Sequence, residues 1–143
     1  MCHSIPPANS PSVITVGGYT DHNQLNQRDL YHSNFGVTAD GTVKPEIVAP
    51  AMWVAAPILP GTEFYERAEA LSRAAAAYEP ENGAFVEAAL QQEKIVAAHY
   101  QHVDGTSFAA PIVASVVAQM IEANPRLTPG AIKNILVLQP IAS

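Results

Sequence analysis

Gly105-Thr106-Ser107-Phe108-Ala109-Ala110-Pro111 is the stretch from which the rest of the chain can be read, because it sets a serine at the opening of the most apolar segment. Phe108 to Ala118 is interrupted only by Ser115, and Met120 and Ile121 continue it before Asn124-Pro125 stops it. Proline lacks the amide that a continuing helix needs. Each residue of the opening has a physical use. A glycine lets the backbone turn sharply into a helix and lets another chain approach closely. Free amides at a helix start face an anion, so the Ser107 amide is placed to donate to an oxyanion. Alanines at 109 and 110 permit close packing, and Pro111 is expected at the edge of the first turn, where few donors are lost. The plainer reading is that Ser107 only caps a core helix, as serines at helix starts commonly do.

Outward from this segment, the pattern alternates short strands and helices. Val13-Ile14-Thr15-Val16 is a short β-branched run ended by Gly17-Gly18, which predicts a strand buried on both faces. Tyr19 to Asp40 is polar and predicts surface loop, and Asp40-Gly41 signals a tight turn. Glu46-Ile47-Val48-Ala49-Pro50 predicts a second strand stopped by proline, and Met52 to Ala56 a third. Thr62 stands as an N-cap with Glu63 and Glu66 in the first turn, and Phe64, Ala68, Leu71, Ala75 and Tyr78 recur at helical spacing. After a break at Pro80 to Gly83, Phe85, Val86, Ala89 and Leu90 predict a second helix running towards Ala98. Residues 99 to 104 should run extended into the serine turn. Being apolar nearly all round, the segment after Ser107 is expected in the middle of a fold. Thr128-Pro129 then predicts a last helix from Pro129 to about Leu138.

Composition narrows the function classes. The chain has 143 residues, 48% of them hydrophobic, which is enough to bury a core. Its net charge of −6, from 13 acids against 7 scattered bases, argues against nucleic acid as a partner. The apolar run is too short for a span of about 30 Å of hydrocarbon, so no membrane span is expected. Cys2 is the single cysteine and cannot form an internal disulfide, and the first residues do not have the form of a signal peptide.

The Gly105-Thr106-Ser107 segment, with Ala109, Pro111, Val113 and Ala114, resembles the nucleophile segment of the subtilases, Gly-Thr-Ser-Met-Ala-x-Pro-His-Val-Ala. Three further blocks are similar to that family and in its order: Pro7 to Gly18, Lys44 to Pro50, and Asn124 to Lys133. The resemblance implies an α/β fold, part of a three-layer domain with a mainly parallel sheet, and a serine endopeptidase with Ser107 as its catalytic residue. It implies a peptide or protein as substrate, while no residue of this chain is read as a cofactor-binding or metal-ligating one. Phe108 replaces the usual methionine, Ile112 the usual non-catalytic histidine, and Ala51 the glycine after Ala-Pro, which bears on that turn's geometry. Residues 63–98 exceed what most relatives carry between these blocks and are expected to be a helical insertion within a domain fragment spanning 1–143.

A serine of this kind needs a histidine to take its proton, an aspartate to orient the histidine, and an asparagine to complete the oxyanion hole. In the family these lie upstream, and their motifs do not occur here. Ser107 is therefore expected to act only when a missing amino-terminal half completes the domain, and the chain alone is expected to be inactive. The alternative is an inactive remnant serving in binding or assembly. His99 and His102 with Asp104 form a conceivable metal site or substitute base, but alternate residues of an extended segment point to opposite faces. Cys2 with His3 is a weaker pair still.

Overall fold

A computed structural model describes residues 6–22, 24, 26–77 and 82–138. The chain divides into two compact units, one formed by residues 1–52 and 105–143 and the other by residues 53–104.

The first unit is built on β1 (Val16–Thr20), which pairs in parallel with β5 (Ile47–Pro50) in the register Val16 to Ile47 and Tyr19 to Pro50. At its far end β1 also pairs antiparallel with β2 (Asp29–Leu30), through Tyr19 and Thr20. A hairpin of β3 (Gly36–Val37) and β4 (Val43–Lys44) turns at Asp40-Gly41, as the sequence predicts. The polar stretch expected to be loop thus holds two short strands whose residues are mostly exposed. The first strand also differs from expectation. It begins at Val16 and runs through both glycines instead of ending at them. They are there for close approach: a Cβ on Gly17 would come 2.6 Å from Pro45 Cγ, and one on Gly18 would overlap Ala51 Cβ.

Helix α3 (Thr106–Ala123) lies against β1 and β5, and α4 (Pro129–Leu138) follows it. Ala49, Ala51, Ala109 and Val113 form the core here, with Val16, Tyr31, Ile47, Ile112 and Leu136 packed around them. Small side chains at the centre bring helix and sheet close together. As predicted, α3 stops before Asn124-Pro125, and Thr128 caps α4 by accepting the Ala131 amide at 3.3 Å. The expectation that α3 is surrounded does not hold within this chain. Only Ala109 and Val113 are buried, while Val116 and Ile121 are 42% and 44% exposed. By length and composition α3 is the one helix, among the described residues, apolar enough to cross a membrane. Its packing on β1 and β5 gives it instead one face on a sheet.

The second unit is a sheet of β6 (Val54–Pro57), β8 (Tyr100–Val103) and β7 (Ile95–Ala97), in that order and antiparallel, with two helices. Helix α1 (Glu63–Ala77) starts at Thr62, whose hydroxyl accepts the Tyr65 amide at 3.2 Å. Ala68 is buried, Phe64 and Leu71 are partly covered, Ala75 is exposed, and Tyr78 lies outside the described residues. Helix α2 (Gly83–Gln92) packs on α1 through buried Val86. It does not run to Ala98. Lys94 takes a left-handed φ of 55°, which reverses the chain after the Glu93 cap, and the β-branched Ile95 and Val96 enter β7. No glycine marks that stop.

Of the strand pairings among the described residues, β1 with β5 is parallel and the others are antiparallel. The described residues thus hold one parallel pair and do not themselves form the mainly parallel sheet that the resemblance implies.

Candidate active site

Ser107 is the second residue of α3 and is exposed. The turn that delivers it depends on Gly105, the N-cap, whose φ of 147° and ψ of 148° belong to a region open essentially to glycine alone. The Gly105 amide donates to the Ala51 carbonyl at 2.7 Å, and its own carbonyl accepts the Phe108 amide at 3.0 Å. With glycine at the cap, no side chain caps α3. Ser107 therefore does not serve as the N-cap, and the plainer reading of this serine fails on geometry. Its amide lies in the first turn, where helical N–H groups have no intrahelical acceptor.

Pro111 lies deeper than expected. It is the sixth residue of α3, inside the helix, so the amide that would pair with the Ser107 carbonyl is missing. The Ser107 amide and carbonyl thus both lack the regular helical bond across four residues. Ala109, fully buried, lets this turn settle on Ala49 and Ala51. Ala51, the residue that replaces the usual glycine, is itself fully buried and lacks a positive φ, so alanine fits the turn without strain. A cavity of about 170 Å³ opens beside the helix start, lined by Thr15, Val16, Ser33, Phe35, Lys44 and Thr106.

The described histidines have other engagements. His22 Nε2 bonds Asp29 at 2.7 Å, His32 packs its ring on Tyr31, His99 stacks on Tyr65 at 4.7 Å, and His102 Nδ1 donates to the Trp53 carbonyl at 2.7 Å. His99 and His102 thus have different partners. The Asp104 carboxylate accepts the Trp53 amide at 2.9 Å and pairs with Lys94. Among the described residues no group of His, Cys, Asp or Glu is arranged to hold a metal ion. Cys2 and His3 lie outside the described residues.

Sequence reading passed over one buried ionic network. Glu46 Oε1 pairs with Lys44 at 2.7 Å and Lys133 at 2.6 Å, while its Oε2 accepts the Thr15 amide at 2.8 Å. The ammonium groups also donate to carbonyls of Ser10, Pro11 and Val13. Burial alone would raise the Glu46 carboxyl, but the bonds from Lys133, Lys44 and Thr15 outweigh it and hold it at about 2. The network ties residues 10–15 to the start of β5 and to α4. Its signal was two opposite charges flanking Pro45 just ahead of an apolar strand; the second lysine arrives from 87 positions further along the chain and only folding shows it.

The sequence is similar to known proteins over most of its length. A region of 133 residues, 91% of this chain, is 29% identical to "Serine protease AprX" of Bacillus subtilis (strain 168). The chain spans about a quarter of that relative's length, 25% of it. No solved structure matches the chain. The Subtilase family model, Peptidase_S8, matches residues 5–139, nearly the whole sequence, and the chain that presents Ser107 on this turn belongs to the subtilase family of serine peptidases.

Proposed function

We propose that this chain is the carboxy-terminal part of a subtilase catalytic domain and supplies Ser107 as the nucleophile of a serine endopeptidase. The observation that carries the reading is the placement of Ser107, exposed in the first turn of α3 behind a glycine at φ 147°. In the reaction, Ser107 Oγ attacks the peptide carbonyl as a histidine takes its proton; the carbonyl oxygen becomes an oxyanion within reach of the Ser107 amide. Collapse of that intermediate breaks the C–N bond, the amine leaves with the proton, and water then hydrolyses the acyl-enzyme. The histidine, its aspartate and the oxyanion asparagine come from the upstream part of the domain.

One feature of the first unit supports an upstream partner. The outer face of α3 leaves Val116 and Ile121 uncovered on a helix apolar nearly all round. Residues 63–98 are the insertion in this reading; they hold α1, α2 and β7, and β7 pairs with β8, which lies outside them.

The test is labelling by a fluorophosphonate. Protein that includes the upstream Asp, His and Asn motifs should label at Ser107 and hydrolyse casein, and Ser107→Ala should abolish both. The 143-residue chain alone should show no sustained turnover, because a serine without its base and a complete oxyanion hole keeps little of the family's rate. Failure of the folded, completed protein to label would leave the inactive remnant as the better account.

A further inference from the structure

The residue before Gly105 stands at the centre of a cluster that neither the family match nor the nucleophile reading uses. Asp104 Oδ1 accepts the Trp53 amide at 2.9 Å, and Oδ2 pairs with the Lys94 ammonium. That ammonium also lies 4.8 Å from the centre of the Trp53 ring. His102 closes the group: its Nδ1 donates to the Trp53 carbonyl at 2.7 Å, its ring meets the Trp53 ring edge-on, and its amide donates to the Lys94 carbonyl at 2.8 Å.

Two members of the cluster are held in a conformation that large side chains avoid. Trp53 has φ 58° and Lys94 φ 55°. Such backbones persist only where the surroundings over-determine them, and they gather at sites where position matters. Here both peptide groups flanking the Trp53 α-carbon are fixed by side chains, the carbonyl by His102 of β8 and the amide by Asp104 just after it. Asp104 is the only one of these partners joined by a peptide bond to the glycine of the serine turn. Held this way, it fixes the chain at the point from which Gly105 departs. Hydrogen bonds from Lys94 and from the Trp53 amide hold its carboxyl below the usual carboxylate range, so the charged form that makes these bonds is the one present near neutral pH.

We infer that Asp104 is a positioning residue for Ser107: by binding the Trp53 amide and the Lys94 ammonium it anchors the strand that leads into the Gly105 turn. The inference rests on the reading of Ser107 as nucleophile for its catalytic consequence, though not for the anchoring itself.

Two measurements separate these. On the 143-residue chain, Asp104→Ala should speed exchange of the Gly105 amide while the Ala51 amide, which donates to Tyr19 at 2.9 Å, keeps its protection. Unchanged Gly105 exchange, or equal loss at both amides, would overturn the anchoring. In the completed peptidase, Asp104→Ala should lower kcat and the labelling rate by about 10- to 100-fold with KM unchanged, as expected of a displaced nucleophile. Asp104→Asn keeps an acceptor for the Trp53 amide and should restore most of the loss. Wild-type rates in Asp104→Ala, with Ser107 labelled, would sink this inference and leave the nucleophile reading intact. A wild-type protein that does not label, while Gly105 exchange responds as stated, would remove the nucleophile and keep only the anchor, and with it the catalytic part of the inference would fall.

Discussion

Ala51 accepts the Gly105 amide at 2.7 Å, so the residue closing the β5 segment and the residue opening α3 are joined directly, two positions ahead of Ser107. The bond fixes where the glycine sits, and the φ of 147° decides that it must be glycine. A Cβ there would come no closer than 3.6 Å to the Phe108 ring and 3.8 Å to the Ser107 nitrogen, both ordinary contacts. Gly105→Ala should therefore destabilise through backbone strain and not through a clash, by about 1–3 kcal/mol. Chemical denaturation would measure it. A change below the error of the midpoint would show that the turn relaxes freely.

Glu46 makes folding stability depend on acid. Its carboxyl is held at about 2 against an ordinary 4.5, so the ionised form is favoured in the folded state. The contribution is complete above the unfolded value and is lost as pH falls from about 4.5 through about 2. The difference corresponds to about 3 kcal/mol. Glu46→Gln leaves the buried Lys44 ammonium and the partly buried Lys133 ammonium facing a neutral amide, and the loss should be of the same order at neutral pH. Urea midpoints across the acid range should fall for the wild type and stay nearly flat for the variant. Parallel curves would assign the acid sensitivity elsewhere.

Two glycines should respond oppositely to alanine. Gly18 lies in β1, where a Cβ would overlap Ala51 and come 2.8 Å from Tyr31, so Gly18→Ala should cost about 1–3 kcal/mol as overpacking. Gly130 lies in the first turn of α4 with nothing near its Cβ position and no positive φ. Gly130→Ala should stabilise by about 0.4–1 kcal/mol by restricting the unfolded chain. Thermal melts of the two variants decide it; a shift in the same direction would contradict the packing described for β1.

The order of elements around Ser107 was legible in the sequence because it depends on local chemistry. Thr62 and Thr128 cap their helices, Asn124-Pro125 stops α3, and Asp40-Gly41 turns a hairpin, each through residues within a few positions of one another. The turn into α3 was legible for the same reason, since Gly105 acts there through its own backbone. Tertiary structure decided the rest. Gly17 and Gly18 looked like a strand end and are strand interior, because the atoms that exclude a side chain there belong to Pro45 and Ala51. Lys133 meets Glu46, and Asp104 meets Trp53, across separations that no local pattern encodes. Apolarity alone marked α3 as a central helix, but which of its faces is covered depends on what packs against it, and among the described residues β1 and β5 provide the main cover.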